Sequence, residues 1–124
     1  MIEFKIPYPP DKTAWNKSFS LNAIYSGKHW SKRKGDKDYW YVITRNALSA
    51  GKVPRKMFDK PVRITFSWND GLDIDNHAYM GKMITDGMKG WVIRQDSPKW
   101  FVEVTHKFHD KDWVLVGIEE VSDH

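Results

Sequence analysis

Alternation of apolar and polar positions marks the strands. Val62, Ile64, Phe66 and Trp68 point one way and Arg63, Thr65 and Ser67 the other, so 61–68 is the clearest strand. Residues 1–6 alternate over a shorter stretch. Pro7, Pro9 and Pro10 close it, because proline donates nothing to a ladder. Near the C-terminus, 99–108 and 113–121 read as a hairpin around His109-Asp110-Lys111-Asp112, with Val114, Val116 and Ile118 inward. Asn69-Asp70-Gly71 is a turn signal.

Helical spacing replaces alternation twice. Over 31–50, Trp40, Ile43 and Ala47 form a stripe that Tyr39 and Val42 widen, and Gly51 is the stop. Gly35 weakens the first half of this helix by about 1 kcal/mol relative to alanine. A second helix is predicted over 77–89, with Asn76 as N-cap and Gly90 as stop. Met80, Ile84, Gly87, Met88 and Trp91 share one face of it. Residues 7–30 have no period and read as a long irregular arm whose aromatics (Tyr8, Trp15, Phe19, Tyr25, Trp30) must pack on something. The order β-α-β-α-β-β predicts an α+β fold, a mixed sheet with two helices in a single domain over 1–124.

Composition narrows the class. With 124 residues, 40% hydrophobic and 29% charged, the chain is long enough for one core and is neither disordered nor fibrous. The longest apolar run, Tyr39 to Ile43, is far below the roughly 20 residues of a membrane helix. No secretory signal pattern is visible, and a cytoplasmic location is expected. Cysteine is absent, which excludes disulfides, thiolate metal sites and cysteine nucleophiles. The net charge of +4 is unevenly spread. Residues 1–60 hold 13 Lys and Arg against 5 Asp and Glu, while 61–124 hold 7 against 11. A basic half suits a polyanion and an acidic half suits a cation.

Phosphate loops, nucleophile elbows, zincin and dinucleotide motifs are missing. The five histidines (29, 77, 106, 109 and 124) lack zinc spacing and read as surface or packing residues. Asp73-Ile74-Asp75-Asn76 stands out, between the core strand and the second helix. In an extended segment i and i+2 project to one side, and two close carboxylates need a cation between them. Hard oxygens with open water positions suit Mg²⁺; the alternative is a turn with a cap. Asp96 is a candidate third ligand or a plain Ser-Pro turn residue. Lys82 and Asp86, at i and i+4, form either a surface ion pair or a lysine reaching a phosphate beside the metal. Lys28, Lys32, Arg33, Lys34 and Lys37 give five cations in ten residues, suited to phosphates or to a solvated helix face.

Together these residues resemble the RusA-type Holliday junction resolvase (crossover junction endodeoxyribonuclease) family, common in phages and prophages. The matching segments are Asp73-Ile74-Asp75-Asn76, Lys82, Asp86-Gly87-Met88 and Gln95-Asp96-Ser97. Ser20-Leu21-Asn22-Ala23-Ile24-Tyr25 and the basic tract after it are also similar to the family. The resemblance implies that Asp73, Asp75 and Asp96 bind Mg²⁺, or Mn²⁺ in its place, and that Lys82 assists at the scissile phosphate. It implies an endonuclease resolving four-way DNA junctions in recombination and repair by paired symmetric nicks, and hence a homodimer. Lys28, Lys32, Arg33, Lys34 and Lys37 would hold the DNA arms. An edge strand or the aromatic arm offers the dimer surface. The competing readings are a DNA-binding protein of the same fold that does not cleave, and a flap or single-strand nuclease.

Overall fold

The computed structural model describes residues 1–121, so His124 lies outside it. Strands β1 (Ile2–Pro7), β2 (Val62–Trp68), β3 (Phe101–Phe108) and β4 (Trp113–Glu120) form one mixed sheet in the order β1-β4-β2-β3. The fold is α+β, as the pattern predicts.

The last two strands are not a hairpin. β4 lies between β1 and β2, antiparallel to both, and β3 pairs with β2 in parallel. Ile64 therefore stands between Val104 on one side and Ile118 on the other. A parallel pair needs a long crossover, and the helical segment between β2 and β3 supplies it. The residues after β3 then pass the end of β2. There the His109 N–H donates to Trp68 O at 3.1 Å, and Asn69 Nδ2 donates to Lys111 O at 2.9 Å. Two alternating runs joined by a short polar turn look the same whether they pair with each other or straddle a third strand.

One sheet face is apolar. Phe4, Ile6, Val62, Ile64, Phe66, Trp68, Val114, Val116 and Ile118 are all buried there. The opposite face carries charge: Arg63 sits 3.0 Å from Glu103 on β3 and 3.6 Å from Glu119 on β4, its register partners on both sides. Helices therefore cover one face, giving two layers.

The long helices are α3 (Trp30–Ala50) and α4 (Ala78–Met88), with a 3-10 turn at Ile74–His77 leading into α4. Trp40, Thr44, Ala47 and Leu48 form the buried stripe of α3, whereas Tyr39 and Val42 are exposed. The predicted widening of that stripe toward Tyr39 and Val42 does not occur, because the sheet and α4 cover too narrow an arc. Asn76 is not an N-cap; it lies within the 3-10 turn.

The region read as an irregular arm is mostly helical. Asp11 accepts from the N–H groups of Thr13 and Ala14 at 3.0 and 3.1 Å and starts α1 (Lys12–Phe19); Ser20 caps α2 (Leu21–Tyr25). These helices are too short to show a clear period. Trp15 holds α1 down, edge-on to Tyr8, Phe19 and Trp40 with ring centroids 4.8–5.5 Å apart. Tyr25 stays exposed. α1 also grips the end of β2: Lys12 Nζ donates to Asn69 O at 2.8 Å and Asn16 Nδ2 to Asp70 O at 2.7 Å.

Candidate nucleic-acid and metal site

The basic tract opens α3, and Lys82 sits one turn into α4. The two helices touch where Gly87 of α4 meets Thr44 of α3. Toward the start of α3 a cleft of about 420 Å³ separates them, lined by Arg33, Lys34 and Lys37 on one wall and Tyr79, Lys82, Met83 and Asp86 on the other. All four cationic side chains there are exposed. Two segments distant in sequence thus share one anion-attracting surface.

The other two predicted DNA contacts lie beside this cleft. Lys32 and Lys28 line an adjoining shallow surface with Lys17 and His29. The Lys28 ammonium is turned inward and paired with Asp36; it also donates to Ser18 O at 2.6 Å. The same Asp36 accepts from Tyr79 OH at 2.7 Å, which ties the start of α3 to α4. Burial and that carboxylate push the Tyr79 hydroxyl far above the ordinary phenol range.

The acidic residues form two separate groups. Asp73 has extended backbone at the head of the 3-10 turn and makes no capping bond; Asp75 lies inside the turn. The extended geometry expected for 73–75 holds only at Asp73, because the chain enters the 3-10 turn at Ile74. Both carboxylates are exposed, and neither makes a hydrogen bond or ion pair among the described residues. Asp96 follows α4 in the loop to β3, 3.5 Å from Lys82 Nζ and 3.2 Å from Lys89 Nζ. Asp86 stands 2.8 Å from Lys89 and 3.8 Å from Lys82. The Lys89 ammonium holds the Asp96 carboxyl below its usual range, and the Asp86 carboxylate raises Lys89.

Asp73, Asp75 and Asp96 are therefore not one cluster. Among the described residues no group of three His, Asp or Glu side chains is placed to hold a metal ion. Mg²⁺ commonly takes only one or two carboxylates and keeps waters or phosphate oxygens in its other positions. Asp73 and Asp75, exposed and unneutralised, suit that donor set. Asp96, with two ammonium groups on it, does not share it.

A buried relay supports this region, and its role is not visible in the sequence. His77 Nε2 lies 2.8 Å from Asp70 Oδ1, with both side chains fully out of water, and His77 Nδ1 lies 3.1 Å from Ile74 O. Asp70 also accepts from the Leu72 N–H at 3.1 Å and from Tyr8 OH at 3.4 Å. His77 stacks on Trp68, whose Nε1–H donates to His106 Nδ1 at 3.0 Å. These bonds fix the backbone that carries Asp73 and Asp75. Asp70 reads as a turn residue and His77 as an isolated histidine, seven positions apart, so no local spacing signals the pair.

Beside α4, a second cleft of about 260 Å³ opens toward β3. It is lined by Lys82, Asp96 and His106, and Phe66 lies at its base. Burial, with His77 nearby, keeps the His106 ring below its ordinary pKa. Among the described residues no helix is long and apolar enough to cross a membrane. Comparison with protein-family models, curated proteins and solved structures finds no match for this chain.

Proposed function

We propose that this chain is a Mg²⁺-dependent, structure-selective endodeoxyribonuclease acting on branched DNA, as its resemblance to RusA-type resolvases implies. The observation that carries the reading is the cleft where Arg33, Lys34 and Lys37 of α3 face Lys82 of α4. Cations on two walls suit a phosphate backbone and read shape rather than sequence. Asp73 and Asp75 are the residues that would hold the metal, which when bound supplies charge neutralisation at a phosphate and a more acidic water. Lys82 borders both clefts, so it is the cation best situated to steady a phosphate at the basic wall formed by Arg33, Lys34 and Lys37.

Paired nicks on a four-way junction need two copies of the site, hence a twofold dimer. Trp15 and most of Phe19 are buried within the chain, so of the arm's three aromatics Trp15, Phe19 and Tyr25 only Tyr25 is left exposed for it. The edge strand β1 is better suited. Antiparallel pairing of β1 with a second copy about Phe4 sets Glu3 opposite Lys5 twice, on one face, which is favourable. An apolar cleft of about 430 Å³ between β1 and α3, with exposed Tyr39 at its rim, lies beside that join.

The test is cleavage and gel-shift on four-way, flap and linear DNA with Mg²⁺ present. The expected result is nicking of the four-way substrate, abolished by Asp75→Asn with binding retained or stronger, since a carboxylate that repels phosphate is gone. Unchanged nicking by Asp75→Asn overturns the metal assignment. A second reading, junction binding without cleavage, is favoured by the two lysines that neutralise Asp96. It predicts binding but no nicking with any divalent metal.

A further inference from the structure

We propose that the cleft between α4 and β3 takes one unpaired nucleobase from DNA lying in the neighbouring cationic cleft. This rests on the DNA-binding reading above and adds a base-recognition site to it.

Position is the first argument. Lys82 borders both clefts, so a strand whose phosphates meet Arg33 and Lys34 has its bases within reach of the far side of α4. Size is the second. At about 260 Å³ the cleft falls just under the roughly 300 Å³ at which small-molecule pockets begin, room for a planar ring but little more.

The lining is the third. Phe66, Phe101 and Val104 make an apolar floor, and Val104 is still 48% exposed among the described residues. The His106 ring is held flat against Phe66, 14° from parallel with centroids 5.3 Å apart. Trp68 donates to its Nδ1, so the neutral ring keeps its proton on Nε2, and Nε2 has no hydrogen-bond partner among the described residues. Gly81 makes the close approach possible: a Cβ there would stand 3.0 Å from His106 Cε1. The cleft thus offers a fixed N–H donor, with the Lys82 ammonium and the Asp96 carboxylate at the rim. Base edges present both acceptors and donors, and these groups match both kinds.

The base must be unpaired. A base within a duplex reaches such a cleft only by leaving its stack, which costs a few kcal/mol, whereas a branch point or bulge offers one at little cost. The cleft would therefore contribute to selectivity for branched over linear DNA.

Fluorescence anisotropy in EDTA, with three duplexes, tests this. One is fully paired, one carries a single bulged thymine, and one carries an abasic site in the same bulge. The expected result is about tenfold tighter binding of the bulged thymine than of its abasic counterpart, the size of one stacked base. Val104→Trp, at an exposed edge-strand position, and Ala78→Trp, at an exposed position on the helix wall, each fill the cleft. Both should erase the preference and leave affinity for the paired duplex unchanged. Thr105→Trp, one position along β3 and therefore on the opposite sheet face, should keep it. A preference that persists in either folded cleft-filling variant, or that is absent in the unsubstituted protein, overturns the pocket while leaving DNA binding in place. Failure to bind any of the three duplexes overturns both readings.

Discussion

Gly87 of α4 lies so close to Thr44 of α3 that a Cβ on the glycine would stand 2.8 Å from Thr44 Cβ and 3.0 Å from its Cγ2. This contact sets the distance between the two helices that wall the cationic cleft. Gly87→Ala must push them apart at a fully buried point, and should cost about 1–3 kcal/mol in urea unfolding. Gly35, in the exposed first half of α3, has nothing within 4 Å of where a Cβ would sit. There the same change should stabilise by about 1 kcal/mol, because only the helix propensity differs. Equal effects at the two glycines would contradict the packing.

His106 makes stability pH-dependent. Its folded pKa is lowered from 6.5, first by burial and then by the neighbouring His77. The Trp68 Nε1–H also needs an unprotonated Nδ1 to donate to. As pH falls through about 6.5 the unfolded chain takes up the proton before the folded one does, so this contribution is complete above that value and is lost below it. Stability should fall as the pH drops below about 6.5 and go on falling until the folded ring itself takes up a proton, and His106→Gln should flatten the slope. Parallel slopes in the two proteins would show that other groups carry the dependence.

Neutralising Lys32, Arg33 and Lys34 together should weaken DNA binding alike for all sequences. It should also reduce the log–log salt slope by roughly 0.9 for each phosphate that is no longer neutralised. Arg33 and Lys34 face the cleft and Lys32 the adjoining surface, so the single substitutions Arg33→Gln and Lys34→Gln should carry most of the change. An unaltered slope would mean the tract is only a solvated helix face.

Light scattering at micromolar concentration should give about twice 14.6 kDa. If β1 pairs with β1 about Phe4, Glu3→Lys places like charges opposite each other at two points and should shift the protein toward monomer. Glu3→Lys combined with Lys5→Glu restores opposite charges in the same register and should restore the dimer. A double variant as monomeric as the single one would rule out this register.

The sequence alone determined every strand and both long helices, because each has a period that its own neighbours impose. The strand at 61–68 alternates since one sheet face is buried, and α4 repeats Met80, Ile84, Gly87 and Met88 since one side of it meets the core. The order of those elements set the α+β class, and the residue counts of the two halves set the charge partition. The short helices α1 and α2 escaped the reading, being one or two turns long and held by Trp15 and two caps rather than by a stripe. The chain could not show that β4 inserts between β1 and β2 instead of pairing with β3, since alternation names a buried face and not a neighbour. At the site, the residue types were legible as Asp73, Asp75, Lys82, Asp96 and the basic tract. Only the tertiary structure joined Arg33, Lys34 and Lys37 to Lys82 across two helices, gave Asp96 to Lys82 and Lys89, and set His77 on Asp70. Charges that meet through space leave no period along the chain, because their spacing is fixed by how the helices pack.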